Sequence, residues 1–126
     1  PQSFRLSADA LFAFDSSALR DGAEASLDDL VSKIKQHDVN SALTITGYTD
    51  RLGSTAYNQR LSLARAQTVR DYLVNQGGID ASRIRVAGRG EANPLSSCGN
   101  NMPKAELIDC LQPDRRVEVT VSGVQQ

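Results

Sequence analysis

The sequence predicts a two-layer α/β sandwich, in which a mixed sheet of about four strands in βαβαβ-type order carries two long helices on one face and a short third helix in a loop. Three observations carry that expectation. Leu27, Leu30, Val31 and Ile34 recur at i, i+3, i+4 and i+7, the spacing of a helix with a single apolar stripe. Leu43-Thr44-Ile45-Thr46, and Val117, Val119 and Val121 with Glu118, Thr120 and Ser122 between them, alternate apolar with polar as strands wet on one face do. Finally, two strand patterns flank one long helical pattern between positions 42 and 87, and a helical crossover of that length implies parallel neighbours joined in a right-handed sense.

Taken in order, Phe4 to Phe14 reads as a first strand, with apolar residues at Phe4, Leu6 and Ala8 and then Phe12 and Phe14, broken by the turn-forming Asp15-Ser16-Ser17. Ala23 to His37 is the first helix, with Glu24, Asp28, Asp29 and Lys33 on its wet side. His37 near its end is the only histidine, and one imidazole without a nearby cysteine or second histidine makes no metal site; it is expected at the surface. Ala42 to Tyr48 is the second strand.

The second helix runs from Thr55 to Gln76, with Ser54 as its N-cap and Gly77-Gly78 closing it. Its buried face is expected to hold Tyr57, Leu61, Ala64, Val69, Tyr72 and Leu73, with Arg60 and Arg70 in solvent. Arg83 to Ala87 is the third strand. The Gly88–Pro94 turn after it has two glycines but no third opening a helix, so it is not a nucleotide motif. Leu95 to Gln112 is loop-rich and holds both cysteines and a short helix near Lys104–Leu111, ahead of the last strand.

At 126 residues the chain suits one domain, residues 1–126. Hydrophobic content of 40% and charged content of 23% are those of a folded protein, and without tryptophan the core must come from Leu, Val, Ile and Ala. A net charge of −1 argues against a general nucleic-acid binder. No apolar run approaches the ~20 residues that span a bilayer. The opening Pro1-Gln2-Ser3, with neither Met nor a signal-like segment, reads as a cut in the linker of a longer protein.

The chemistry concentrates between Gly47 and Ala66. Asp50 follows the second strand, Gly53 supplies a turn, and Asn58, Leu61, Ser62 and Arg65 share one face of the next helix. An anion, a cation and an amide thereby converge beside a helix N-terminus. Such a pair suits a zwitterion, because Arg grips a carboxylate through two parallel hydrogen bonds and Asp accepts from an ammonium. The same two residues can equally form a structural salt bridge between strand and helix.

Thr49-Asp50, Gly53, Tyr57-Asn58, Leu61-Ser62, Arg65-Ala66, Val69 and Tyr72-Leu73 resemble the signature of the OmpA-like peptidoglycan-binding domain. The match extends from Leu11-Phe12-Ala13-Phe14-Asp15 through Gly78-Ile79, Arg83-Ile84, Gly88, Gly90-Glu91 and Asn93-Pro94 to Arg115-Arg116-Val117, nearly the whole chain. The resemblance implies non-covalent anchoring of the outer membrane to the cell wall, in the periplasm of a Gram-negative bacterium. It places the ammonium of diaminopimelate, from the peptidoglycan stem peptide, on Asp50 and its carboxylate on Arg65. Thr49, Asn58 and Leu61 belong to the same matched motif. The resemblance also puts the loop of Phe14, Asp15 and Ser17 beside the pocket, and Arg116, second of the matched arginine pair, near the ligand.

No cofactor, no metal and no nucleic acid are expected, since the net charge is −1 and a lone histidine and two cysteines supply too few ligands for a metal. The partners expected are peptidoglycan, an outer-membrane β-barrel N-terminal in the same chain, and a second copy in a weak homodimer. In an exported chain Cys98 and Cys110 are expected to form a disulfide. The insertion that holds them, with the residues after it, resembles the OmpA branch more than the lipoprotein or motor branches. Two rival readings are a hydrolase with Asp50 and Glu91 as acid and base, for which no paired motif or catalytic His or Ser is present, and a protein-interaction module in which Asp50–Arg65 is structural.

Overall fold

The computed structural model describes residues 2–122; Pro1, where the linker reading begins, lies outside them. Strand β1 (Gln2–Ser7) runs antiparallel to β4 (Arg116–Ser122), β4 antiparallel to β2 (Ala42–Tyr48), and β2 parallel to β3 (Ile84–Gly88), giving the order β1-β4-β2-β3. The expected mixed sheet and its parallel pair are therefore formed. Leu43, Ile45 and Gly47 align with Val121, Val119 and Val117 on one side and with Ile84, Val86 and Gly88 on the other. The apolar positions of each strand thus share one face. Against it pack Leu27, Leu30 and Ile34 of α2 (Ala23–Ile34) and Ala66, Val69 and Leu73 of α3 (Thr55–Asn75), all fully or almost fully buried.

The first strand is shorter than expected. It ends at Ser7, and Ala8–Leu11 forms a short helix, α1. Ala8, Leu11 and Phe12 are buried, the spacing of a helix, whereas a strand would have sent Phe14 to the same side as Phe12. Phe14 is instead 98% exposed. The apolar residues of this stretch satisfy both periods, and packing against α2 and β4 decides for the helix. The first long helix stops at Ile34, with tighter turns carrying the chain to His37. His37 is half-buried edge-on against Phe4 rather than free at the surface, with ring centroids 6.4 Å apart.

Helix α3 buries a different stripe from the one its large residues suggest. Asn58, Ser62, Arg65, Ala66, Val69 and Leu73 face inward, while Tyr57, Leu61, Ala64 and Tyr72 are only half-buried. The cause is the closeness of helix to sheet. A Cβ on Gly47 would stand 2.1 Å from the Ser62 carbonyl oxygen, and one on Gly88 2.5 Å from the Leu63 nitrogen. The ends of β2 and β3 thus meet α3 backbone to backbone at Ser62 and Leu63, which brings the Asn58–Ser62–Arg65 side of the helix against the sheet. Cys98 and Cys110 form the disulfide, closing the loop that holds α4 (Lys104–Cys110). Buried Asp114 steadies the start of that loop by accepting from Leu95 N, Ser96 N and Ser96 Oγ, each at 2.8 Å. No helix among the described residues is long and apolar enough to cross a membrane.

Candidate functional site: a charged cleft at the end of β2

A cleft of about 680 Å³ opens beyond the C-terminal end of β2, within the range of small-molecule sites. Four segments wall it: α1 and the loop after it, the β2–α3 connection with the first turns of α3, the disulfide loop, and Arg115 just ahead of β4.

Asp50 lies where the chain leaves the sheet and is 9% exposed. Its Oδ1 accepts from Leu52 N at 3.0 Å and its Oδ2 from Arg115 Nη1 at 2.8 Å. Thr49 donates its backbone N–H to Gly90 O at 2.7 Å and its hydroxyl to Asp50 O at 2.9 Å, fixing the corner. Asn58 Nδ2 donates to the carbonyls of Asp50 at 3.3 Å and Leu52 at 3.0 Å, and to Glu91 Oε1 at 3.4 Å. Ser54 Oγ caps α3 by accepting from Tyr57 N. The strand-to-helix turn is therefore held by its own polar side chains, as short-range Asp, Ser and Asn contacts allow.

Arg65 is 6% exposed and lies over the Phe12 ring, 5.1 Å from its centroid. Its Nε donates to Ser16 O at 2.9 Å and its Nη2 to Ala13 O at 3.3 Å, while Nη1 has no partner among the described residues. Burial lowers the pKa of this guanidinium; Asp9, Asp15 and Asp50 work against that shift, and Arg115 adds to it. It remains a cation, as Arg does in proteins. The structural salt bridge considered between Asp50 and Arg65 is not formed: the Asp50 ion pair goes to Arg115, and no carboxylate among the described residues pairs with Arg65 within 4.0 Å.

Arg115 joins three walls. It grips Asp9 in bidentate fashion, Nε to Oδ1 and Nη2 to Oδ2 both at 3.0 Å, and donates Nη1 to Asp50 Oδ2 and, at 3.0 Å, to Ile108 O on α4. Hydrogen bonding to Asp9 is the largest effect on its pKa, which is raised. Lys104 and Ile108 of α4 line the cleft, as do Phe14 and Asp15 of the loop after α1. Asp15 has a left-handed backbone with φ of 61°.

Of the residues singled out from sequence, Thr49, Asp50, Asn58, Leu61, Arg65, Phe14 and Asp15 all border this one cleft. Ser17 does not; its carbonyl accepts from Thr68 Oγ1 at 2.7 Å instead. Arg116 does not either. It is 2% exposed, stacks 3.8 Å from the Tyr48 ring centroid, and donates to Glu118, Asp114 O and Asn93 O. The arginine that reaches the cleft is its neighbour, because Arg116 is already paired within the sheet while Arg115 still precedes it. Sequence reasoning missed Asp9, Lys104 and Ile108. Asp9 was hidden by the strand assigned to α1, and the other two are placed by the disulfide. Glu91 is absent from the cleft walls and instead accepts from Asn58 and Thr55.

A helix-backed mixed sheet, with a buried carboxylate and a buried guanidinium lining one cleft at a strand end, defines a small α/β domain with a charged cleft of ligand size. The OmpA family model matches residues 11–107, and the chain belongs to that family. It is 50% identical over 124 residues to outer membrane protein A of Shimwellia blattae, covering 96% of this chain and 51% of that protein. Against outer membrane protein A of Escherichia coli O157:H7 it is 46% identical over 125 residues, covering 97% of this chain and 36% of that protein. The chain thus spans at most about half the length of these curated relatives. Among solved structures, the cell wall anchor of the type VI secretion system (T6SS) from Pseudomonas aeruginosa is similar with a TM-score of 0.78 at 28% identity, covering 97% of this chain and 81% of that one. The peptidoglycan-associated lipoprotein from Burkholderia pseudomallei shares the fold, with a TM-score of 0.70 at 24% identity over 89% of this chain and 87% of that one.

Proposed function

We propose that this domain binds peptidoglycan non-covalently through the diaminopimelate of the stem peptide, and that it tethers the outer membrane to the wall from the periplasmic side. The observation that carries the reading is the state of Arg65: a buried guanidinium without a carboxylate partner, facing the same cleft as a buried carboxylate. Its open Nη1 suits the ligand carboxylate, and the unused lone pairs of Asp50 suit the ammonium. Phe14, Leu61 and Ile108 offer apolar contact for the aliphatic chain between the two centres of diaminopimelate.

Family membership supports the reading, as do relatives whose names place them in the outer membrane or describe them as wall anchors. We read the domain as a binding module rather than an enzyme, because Asp50 is held in an ion pair and Glu91 lies off the cleft, so the acid–base pair of a hydrolase is not assembled. A β-barrel ahead of this domain, as in a longer outer membrane protein, belongs to the same proposal, and so does weak self-association.

The test is calorimetric titration with a diaminopimelate-containing stem peptide and with its lysine counterpart, which lacks the second zwitterionic centre. Binding of the first alone is expected, with binding to cell-wall sacculi lost in folded Asp50→Ala and Arg65→Ala variants. Equal binding of both peptides, or sacculus binding that survives in both variants, would overturn the assignment.

A further inference from the structure

We propose that Asp9 sets the charge of the ammonium subsite by occupying Arg115, so that Asp50 keeps its negative charge for the ligand. The inference rests on the reading above, in which Asp50 receives an ammonium. Arg115 bridges the two carboxylates, with two hydrogen bonds of 3.0 Å to Asp9 and one of 2.8 Å to Asp50. With Asp50 as its only anionic partner, Arg115 would form a neutral pair, and a neutralised carboxylate attracts a cation weakly. With Asp9 present, the three side chains carry one net negative charge, and the cleft presents it on the more buried member. The Asp50 side chain is 11% exposed and the Asp9 side chain 49%, so water screens Asp9 and leaves Asp50 in the drier, stronger field.

Asp9 also fixes geometry. A bidentate carboxylate on Nε and Nη2 leaves the guanidinium one orientation, and that orientation aims Nη1 at Asp50 Oδ2. Leu52 N holds the other carboxylate oxygen of Asp50. The remaining lone pairs of Asp50 are thereby set before a ligand arrives, which lowers the ordering cost of binding. A purely structural role for the Asp9 carboxylate would be to tie α1 to the start of β4, yet Ala8 N already donates to Arg115 O at 3.0 Å between the same segments. Arg20 Nη1, at 2.9 Å from Asp9 O, also anchors the backbone of α1.

Two ligands and three variants separate these roles. The diaminopimelate stem peptide is titrated beside the same peptide acetylated on its free side-chain amine, against wild type, Asp9→Asn, Asp9→Glu and Arg115→Lys, with thermal melts confirming folding. Asp9→Asn is expected to weaken binding of the free-amine peptide about three- to tenfold, as one charge acting across a partly screened cleft allows. Binding of the acetylated peptide, held by its carboxylate on Arg65, should change less than about twofold on the same argument. Asp9→Glu restores most of the affinity. Arg115→Lys, which keeps the net charge but cannot make the fork, should show only the smaller loss that comes from geometry, and Asp9→Ala serves if Asp9→Asn does not fold. Equal loss for both peptides, no loss for either, or no rescue by Asp9→Glu would overturn the role of Asp9. Failure of the wild type to bind either peptide would instead overturn the functional reading beneath it.

Discussion

Two adjacent arginines show how little separates a site residue from a structural one. Arg115 precedes β4 and reaches the cleft; Arg116 is the first residue of the strand and lies beneath its polar face, against Tyr48. Truncating Arg116→Ala should leave buried carbonyls of Asp114 and Asn93 without their donor and cost about 2 kcal/mol, less than a fully buried ion pair because Glu118 is partly wet. Urea unfolding measures that cost. Stem-peptide affinity of the folded variant should match wild type, and a large loss of affinity would return Arg116 to the binding site. The pairing of Asp50 was likewise not legible in the sequence: helical spacing places Arg65 on the right face of α3 but says nothing of an arginine sixty-five positions away that bonds Asp50 first.

The disulfide loop ties stability to the site. Restricting the unfolded chain over a loop of this size contributes about 3 kcal/mol in the chain-entropy model. The loop also brings Lys104 and Ile108 to the cleft and offers the Ile108 carbonyl to Arg115, while Arg51 holds its start through Cys98 O and Gly99 O at 3.2 and 2.6 Å. Replacing Cys98 and Cys110 by Ser is expected to lower the melting temperature and to weaken stem-peptide binding together. A stability loss without any change in affinity would show that α4 is held by packing alone. Element types in the long segments were readable from sequence, because α2 and β4 each repeat one apolar period over several turns or alternations, and α3 is a long stretch without a breaker between its Ser54 cap and Gly77-Gly78. The stretch that became α1 is too short for that, since four residues fit either period.

Across the whole molecule, the cleft draws residues from near the N-terminal strand, the centre of the chain, the disulfide loop and the start of the last strand. A ligand held there bridges elements that unfold together, so it should stabilise the entire domain. At about one hundred times its dissociation constant the gain is roughly 2.7 kcal/mol, or a rise in melting temperature on the order of 10 °C for a chain of this size. Differential scanning calorimetry with the diaminopimelate stem peptide measures the shift, and Arg65→Ala should abolish it. A shift that persists in that variant would place the binding elsewhere.

The sequence by itself determined the mixed sheet, the two long helices and the convergence of Asp50, Asn58 and Arg65, because those follow from periodicity and helical spacing within one continuous stretch. The tertiary structure alone decided which charges meet. Asp9, Asp50 and Arg115 lie on three segments far apart in the chain, brought together only when β4 inserts between β1 and β2. The close approach of α3 to Gly47 and Gly88 likewise selected its buried stripe by contact rather than by hydrophobicity. Local periods are short-range and visible in order of residues; ion-pair partners and backbone contacts depend on distances that exist only once the sheet is assembled.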